Sequence, residues 1–351
     1  MGSAVLIDLR STIISEVHTK KKLVLHIGSH KTATTFLQSS LAQNPQVLRD
    51  LSVLYPTSGQ IYEAHFKLCW RLREGKPEAA DLETIPEWAA LIEEIKASDA
   101  EMAILSCEEF GMSIAPHLLE PLKKHFNVSV LCYLRSPDSY LQSFYNQFVK
   151  DFITRETRTI STYLNEDRLE FLNNRAILEP WLAVFGRKAV QVRLFETAVQ
   201  SEGGILGDFL RSVGINRTPP MAPPNLSILQ KVSLPPDALE YLRFANFALD
   251  IEVGHYPFVV RLVEMSLKYT PRLQTTRAGM LSHRARQSLR YRFSGQNVWL
   301  AQTFFDTSHT PFPAVEAPPP PEDFVRRLEE ADAATLGRVA AMLHNFSRER
   351  D

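Results

Sequence analysis

The segment Gly28-Ser29-His30-Lys31-Thr32-Ala33-Thr34-Thr35 places one lysine and three threonine hydroxyls on a glycine turn, directly after the apolar run Leu23-Val24-Leu25-His26-Ile27. It reads as a strand, a tight turn and a helix beginning near Thr32. The first amides of a helix have no internal partners, and the macrodipole makes that end positive. An anion seated there accepts several N–H bonds at once. Lys31 adds a full charge at the mouth, and Thr32, Thr34 and Thr35 add hydroxyl donors. The chemistry this favours is the binding of a phosphate-like group. Ordinary helix capping does not require a lysine followed by three hydroxyls. A Walker A loop requires glycine directly before its lysine and a longer span from the first glycine. Here His30 precedes Lys31, and Gly28 lies three residues before it.

A second segment, Val130-Leu131-Cys132-Tyr133-Leu134-Arg135-Ser136-Pro137-Asp138-Ser139, closes an apolar strand with an arginine. Pro137 and Asp138 are suited to starting a helix. Ser143 lies eight residues after Arg135 and one helical turn after Ser139, so it can point back toward the strand end. A guanidinium fork with a nearby hydroxyl is a suitable clamp for a phosphate monoester. Taken alone, an arginine at a strand end is usually just solvated.

Together the two segments resemble the donor site of the sulfotransferases that use 3′-phosphoadenosine-5′-phosphosulfate (PAPS). The first is similar to their 5′-phosphosulfate loop, whose usual form is a Lys-Ser/Thr-Gly-Thr-Thr run after a strand. The second is similar to their 3′-phosphate segment, and the two occur in the family's order. Trp181…Phe185-Gly186, Val192-Arg193-Leu194-Phe195-Glu196, Asp208-Phe209-Leu210 and Gly214-Ile215 resemble the later core of the family's bacterial, carbohydrate-type members. The likeness covers roughly Lys22–Gly214 and is thin beyond Pro219. It implies that Lys31 contacts the phosphosulfate bridge and stabilises the leaving phosphate. Gly28, Ser29, His30, Thr32, Ala33, Thr34 and Thr35 would line the same loop, and Arg135 and Ser143 would hold the 3′-phosphate. Ala33 departs from the family pattern, standing where glycine is usual; alanine would cost little if this position were already helical.

The resemblance implies transfer of a sulfonate group from PAPS, with release of PAP, to an acceptor hydroxyl or amine of a carbohydrate or small-molecule natural product. No metal is expected. The alternative is a non-catalytic PAP- or nucleotide-binding protein, or a P-loop kinase-like enzyme. A kinase would require the Walker glycine and a Mg²⁺-holding aspartate at a strand end, and neither is present. A general base must take the acceptor's proton. Position makes Glu108 the first candidate and Glu109 the second, at the end of the run Ile104-Leu105-Ser106-Cys107. His65 is the third. His26, inside a buried strand, reads as structural, whereas His30 is equally suited to ligand or solvent.

Four nearly continuous apolar runs read as strands covered on both faces: Lys22–Gly28, Met102–Cys107, Val128–Leu134 and Ala189–Phe195. Helical patterns at Thr34–Ala42, Glu87–Ala97, Ser139–Val149 and Arg168–Phe185 separate them. This alternation predicts an α/β fold, a P-loop-like parallel sheet flanked by helices. After Phe195 the pattern is mainly helical, over Gly203–Val213, Leu239–Leu249, Pro257–Lys268, Arg284–Phe293 and Asn297–Phe305. One domain is expected, with a core at about 22–215, a helical elaboration at 216–308, and a Pro-rich strap and amphipathic helix at 309–351. Asn225-Leu226-Ser227 resembles a segment near the acceptor cleft of some bacterial members. The basic run His283-Arg284-Ala285-Arg286…Arg290…Arg292 reads as a solvated face, with an anionic acceptor or the 3′-phosphate as the alternative partner.

Hydrophobic residues make up 44% of the 351 residues, enough for a large core. Lys and Arg total 39 against 40 Asp and Glu, which argues against a general nucleic-acid or membrane-surface binder, so an anion site must be local. Cys69, Cys107 and Cys132 have no CxxC spacing and read as reduced core thiols. The early apolar run Ala4-Val5-Leu6-Ile7 is broken by Asp8 and Arg10. No later stretch approaches the about 18 apolar residues of a membrane span. The expectation is a soluble, cytoplasmic protein; oligomeric state is not legible.

Overall fold

A computed structural model describes residues 20–74, 82–165, 169–227, 233–249, 254–273 and 280–315, with 336, 337, 339, 340, 342, 343 and 347. Five strands are described: β1 Lys22–His26, β2 Val53–Leu54, β3 Met102–Ser106, β4 Asn127–Leu134 and β5 Val190–Leu194. They form one sheet in the order β2-β3-β1-β4-β5, and every pairing is parallel. The chain is thus of the expected α/β class. The four anticipated strands are all present, and β2 is an addition. At two residues it is too short to show any periodicity, and pairing with β3 defines it.

Among the described residues, ten helices follow the sheet through the core in chain order: α1 Thr34–Ala42, α2 Pro45–Arg49, α3 Phe66–Glu74, α4 Pro86–Ala97, α5 Glu109–Ser113, α6 Pro137–Lys150, α7 Ile160–Asn165, α8 Asn174–Phe185, α9 Phe195–Ala198 and α10 Gly204–Val213. Strand alternation sorts the core between them. Leu23, Leu25 and Ile27 of the first strand segment join Val128, Val130, Cys132 and Leu134 against Trp88, Ile95, Leu178 and Trp181 of α4 and α8. Val24, Leu131 and Tyr133 point the other way, against Leu37 and Leu41 of α1 and Phe209 and Leu210 of α10. Both faces are covered, which is why these strands read as continuous apolar runs. The three cysteines are buried and free, with Cys69 Sγ 3.4 Å from Cys107 Sγ.

Other boundaries moved. The pattern over Arg168–Phe185 divides: residues 166–168 lie outside the described residues, Glu170–Leu172 is a 3₁₀ turn, and α8 starts at Asn174. Asn173 caps α8 by accepting the Ala176 N–H at 3.1 Å. Among the described later residues, helices occupy Pro236–Ala245, His255–Leu273, His283–Arg292 and Ser294–Phe304. Most of the strap and final helix lies outside the described residues. Among the described residues, no helix is long and apolar enough to cross a membrane.

A second apolar cluster joins α6 to the later helices through Tyr140, Leu141, Tyr145, Leu239, Leu242, Leu262 and Val263, with Val339 and Leu343. An ionic tie reinforces this contact at the start of α6. Asp138 is fully buried and accepts from Arg286 Nε at 2.7 Å and Arg290 Nε at 2.6 Å. Two arginines of the basic run are therefore structural, not a solvated face. Burial opposes ionisation of Asp138, but the two guanidiniums outweigh it and hold the carboxyl below its usual pKa. A carboxyl lowered on folding contributes stability above its unfolded pKa, about 3.9, which is lost as pH falls through the folded value. Removing one member of a buried pair strands the other charge; the guanidiniums here are partly exposed, so the low end, about 3 kcal/mol, is expected. Urea unfolding of Asp138→Asn should therefore show a loss of that order at pH 7. The difference from wild type should shrink toward pH 3.

Candidate functional site

β1 lies between β3 and β4, and register brings the three strand ends level: His26 pairs with Ser106 on one side and Leu131 on the other. Backbone bonds continue just past the ends, Ile27 N–H to Leu131 O at 3.0 Å and Cys107 N–H to His26 O at 3.1 Å. The chain leaves β1 toward β2 on one side, whereas β4 lies on the other side of β1. Such a reversal at the carboxyl ends opens a crevice. The residues delivered there are the Gly28 loop, Glu108 and Arg135.

The loop is tighter than the sequence reading. α1 begins at Thr34, not near Thr32, because Lys31 (φ 63°) and Ala33 (φ 61°) are left-handed. Left-handed residues in a turn build the concave amide surfaces that accept anions. Ala33 is therefore not in a helical first turn, and its methyl costs about 1 kcal/mol in this conformation. Gly28 has φ +39°, and a Cβ there would meet Thr34 Cγ2 at 2.7 Å. Gly111 of α5 lets that helix lie against the loop, since its Cβ would sit 2.9 Å from the Ile27 carbonyl oxygen. Thr32 Oγ1 donates to the Ser29 carbonyl at 2.6 Å, closing the loop on itself. Thr34 is buried and Thr35 half-buried in the first turn of α1.

Arg135 reaches the loop directly. Its Nη1 donates to the Lys31 carbonyl at 3.0 Å, and its Nη2 donates to Ser139 Oγ at 3.1 Å. The guanidinium stacks over Phe195 at 4.8 Å, with Glu196 Oε1 4.0 Å from Nε. Glu196 Oε1 also accepts from the Ser136 N–H and Oγ, both at 3.2 Å. Arg135 Nε and Glu196 Oε2 are buried with no hydrogen-bond partner among the described residues. Ser143 is half-buried one turn beyond Ser139, so the hydroxyl the guanidinium holds is that of Ser139. Lys31 Nζ donates to Gln147 Oε1 at 3.1 Å, one further turn along α6. Burial lowers the Lys31 pKa, Arg135 lowers it further, and Glu108 opposes both.

Glu108 is 8% exposed and lies beside the loop, the Gly28 Cβ position being 3.7 Å from its Cβ. Its Oε2 accepts from Gln38 Nε2 at 3.0 Å; Oε1 is 3.8 Å from His30 Nδ1. Gln38 Nε2 also reaches Ser106 Oγ at 3.2 Å, and that hydroxyl meets His26 Nδ1 at 2.8 Å. His26 packs edge-on against Tyr133 and Phe209, and burial pulls its pKa down to about 3, so it is neutral. His30 lies edge-on to Phe144, which heads an aromatic wall with Phe148 and Phe171.

The other two base candidates are placed differently. Glu109 binds Arg73 Nη1 at 2.9 Å and Ser113 Oγ at 2.5 Å. His65 is fully buried: its Nδ1 accepts the Ser106 N–H at 3.1 Å, and its Nε2 donates to the Pro56 carbonyl at 2.9 Å. Burial pulls its pKa down to about 4, and neither nitrogen is left to take a proton. Asn225 donates its N–H to Gln43 Oε1 at 2.9 Å, at the end of α1 remote from the loop. Arg193 pairs with Asp208, which also accepts from Tyr133 Oη at 2.7 Å; this accounts for two of the later-core segments structurally.

Gln38, Ser139, Gln147, Glu196 and Gly111 were not singled out as site residues from sequence. The signal for the glutamines was their spacing, four residues from Thr34 and from Ser143, but polar residues at helical spacing also describe any solvated face. Among the described residues, no three His, Cys, Asp or Glu side chains converge as metal ligands.

No protein-family model matches the chain. A curated protein of Archaeoglobus fulgidus, named only as an uncharacterized protein, is 28% identical over 116 residues, 32% of this chain. That match spans 30% of the archaeal protein's length. Among solved structures, a sulfotransferase from Alicyclobacillus acidocaldarius is similar over 70% of this chain and 95% of its own, with a TM-score of 0.38 and 18% identity.

The left-handed Ala33 gives a direct test of the loop geometry. Ala33→Gly should raise stability by up to about 0.6 kcal/mol, because relief of the Cβ clash, about 1 kcal/mol, is offset in part by the added unfolded-state entropy of about 0.4–1 kcal/mol. A fall in the denaturation midpoint would contradict the loop conformation.

Proposed function

We propose that the chain is a sulfotransferase that takes a sulfonate group from PAPS and passes it to an acceptor hydroxyl or amine. The observation that carries this reading is the 3.0 Å bond from Arg135 to the Lys31 carbonyl. It joins two motifs separated by 104 residues into one site, and a nucleotide with phosphates at both 3′ and 5′ positions would draw on cations from both. The residues fit such a ligand on further grounds. Gly28 and Gly111 leave a cradle that a Cβ would fill. The orphaned Nε of Arg135 and the pKa-lowering crowding of Lys31 beside Arg135 both favour an anion.

PAPS supplies an activated sulfonate on a phosphate leaving group. The amides of the Gly28 loop, with the hydroxyls of Thr34 and Thr35, would hold the 5′ oxygens, and Arg135 with Ser139 or Ser143 the 3′-phosphate. Lys31 neutralises charge on the leaving phosphate oxygen as the sulfur–oxygen bond to it breaks. Such electrostatic placement is the main means of catalysis in transfers of this type. Glu108 is the proposed base: Gln38 fixes its Oε2, leaving Oε1 on the side of His30 and the loop. The acceptor oxygen forms its bond to sulfur and gives its proton to Glu108, while the electron pair of the broken bond leaves on PAP. The aromatic wall of Phe144, Phe148 and Phe171 offers an apolar face for the hydrocarbon side of a sugar or natural-product acceptor.

Calorimetry with PAP tests the donor site, and labelled PAPS with a panel of glycan and small-molecule acceptors tests transfer. Arg135→Ala and Lys31→Ala should each weaken PAP binding about 10- to 100-fold, the worth of a charged hydrogen bond. Glu108→Gln should leave PAP affinity near wild type and lower turnover about 10²- to 10⁴-fold. A folded wild-type protein that does not bind PAP would refute the donor assignment. Full turnover in Glu108→Gln would move the base elsewhere.

A further inference from the structure

A base that has taken a proton must give it up before the next turnover. Glu108 is poorly placed to do so alone, because its side chain is almost wholly buried. Among the described residues, two groups lie within hydrogen-bond or ion-pair reach of its carboxylate: Gln38 Nε2 at Oε2 and His30 Nδ1 at Oε1. Gln38 presents an N–H there, which donates and takes no proton. Behind it, Ser106 and His26 continue the chain into the core, and burial keeps His26 neutral, with its pKa pulled down to about 3. The inward route for a proton is therefore closed.

His30 differs from the other two histidines of the crevice. His26 and His65 are fully buried, whereas His30 is partly exposed, with its ring edge-on to Phe144 at 5.8 Å between centroids. Its Nδ1 is 3.8 Å from Glu108 Oε1, too long for a hydrogen bond but close enough for one to form on a small movement. In the tautomer that carries its proton on Nε2, His30 offers Nδ1 as an acceptor. A charged carboxylate also only accepts, so the two do not bond while Glu108 is ionised. Once Glu108 is protonated, its O–H becomes a donor with Nδ1 in front of it. Catalytic contacts that are long in an empty site commonly tighten in this way when ligands bind.

We propose that His30 relays the proton of Glu108 to solvent. This rests on the sulfotransfer reading above and assigns one step within it. The acceptor oxygen bonds to sulfur, and the electron pair of the broken sulfur–oxygen bond leaves on PAP. The acceptor's proton passes to Glu108 and from Oε1 to His30 Nδ1, while Nε2 releases its own proton to water. Exchange with solvent then returns the ring to its starting tautomer. An imidazole suits this step because it accepts at one nitrogen and donates at the other. His30 directly precedes Lys31, so the segment that holds the leaving phosphate also carries the proton's exit. In this role His30 acts through Glu108 and not on the reacting atoms.

Two acceptors that differ in whether they bring a proton test the relay on the full chain. Methyl β-D-glucoside offers alcohol hydroxyls, whereas 4-nitrophenol at mildly alkaline pH is mostly a phenolate with no proton to lose. Any effect of His30 on donor binding or folding enters both rates alike, so their ratio isolates proton transfer. His30→Ala should lower transfer from labelled PAPS to the glucoside about 10- to 100-fold more than transfer to the phenolate. Added imidazole should restore glucoside transfer in His30→Ala and not in Glu108→Gln. His30→Gln can still hydrogen-bond Glu108 but cannot relay a proton; it should show the same selective loss, and it serves if the alanine variant does not fold. Equal losses for the two acceptors, no loss for the glucoside, or no rescue by imidazole would overturn the relay. So would a wild type that binds PAP in the calorimeter yet leaves the glucoside unmodified, and in each case the donor assignment would stand. Failure of wild type to bind PAP would remove both.

Discussion

The bond from Arg135 to the Lys31 carbonyl is the contact through which the site becomes one object. Parallel pairing of β1 and β4 sets it up by bringing the two strand ends level. A buried guanidinium is costly unless its donors are used. Arg135 spends one donor on the loop, one on Ser139 and its flat face on Phe195, with Glu196 near its Nε. Burial still disfavours its charge, as it does that of Lys31. The site thus gathers two half-buried cations, Lys31 and Arg135, with the carboxylates Glu108 and Glu196 beside them.

α6 links the crevice to the rest of the molecule. Its apolar side belongs to the second cluster, its polar edge faces the loop, and its first turn is locked to the helix His283–Arg292 through Asp138. A shift of the later helices would be felt at Ser139 and Gln147, and so at both loop cations.

The carboxylate side is organised by a different kind of network. His26, Ser106, Gln38 and Glu108 form a hydrogen-bonded chain running from inside β1 to the crevice. Its inner members are neutral and fully or nearly fully buried, so they hold Glu108 without competing for its charge. His65 plays a parallel part behind β3, tying Ser106 to the Pro56 carbonyl. Histidines near a crevice are natural suspects for proton transfer, yet here two of them act as rigid spacers because burial keeps them uncharged.

The α/β class, the four main strands and the turn at Gly28 were legible in the sequence, because they depend on local pattern: continuous apolar runs, helical spacing, and a glycine directly after an apolar strand. Lys31, Glu108 and Arg135 were legible for the same reason, each standing at the end of a recognisable strand. Three things were decided only in three dimensions. The left-handed Ala33 depends on how the loop closes through Thr32 and packs against Gly111. The choice among Glu108, Glu109 and His65 depends on which partners each side chain meets across the fold. Gln38 and Gln147 acquire meaning only when their helix faces are set against Glu108 and the loop, since in sequence they are ordinary polar residues on amphipathic helices. Local pattern fixes what a segment can become; which side chains share a crevice is set by strand order and helix rotation, which no local pattern encodes.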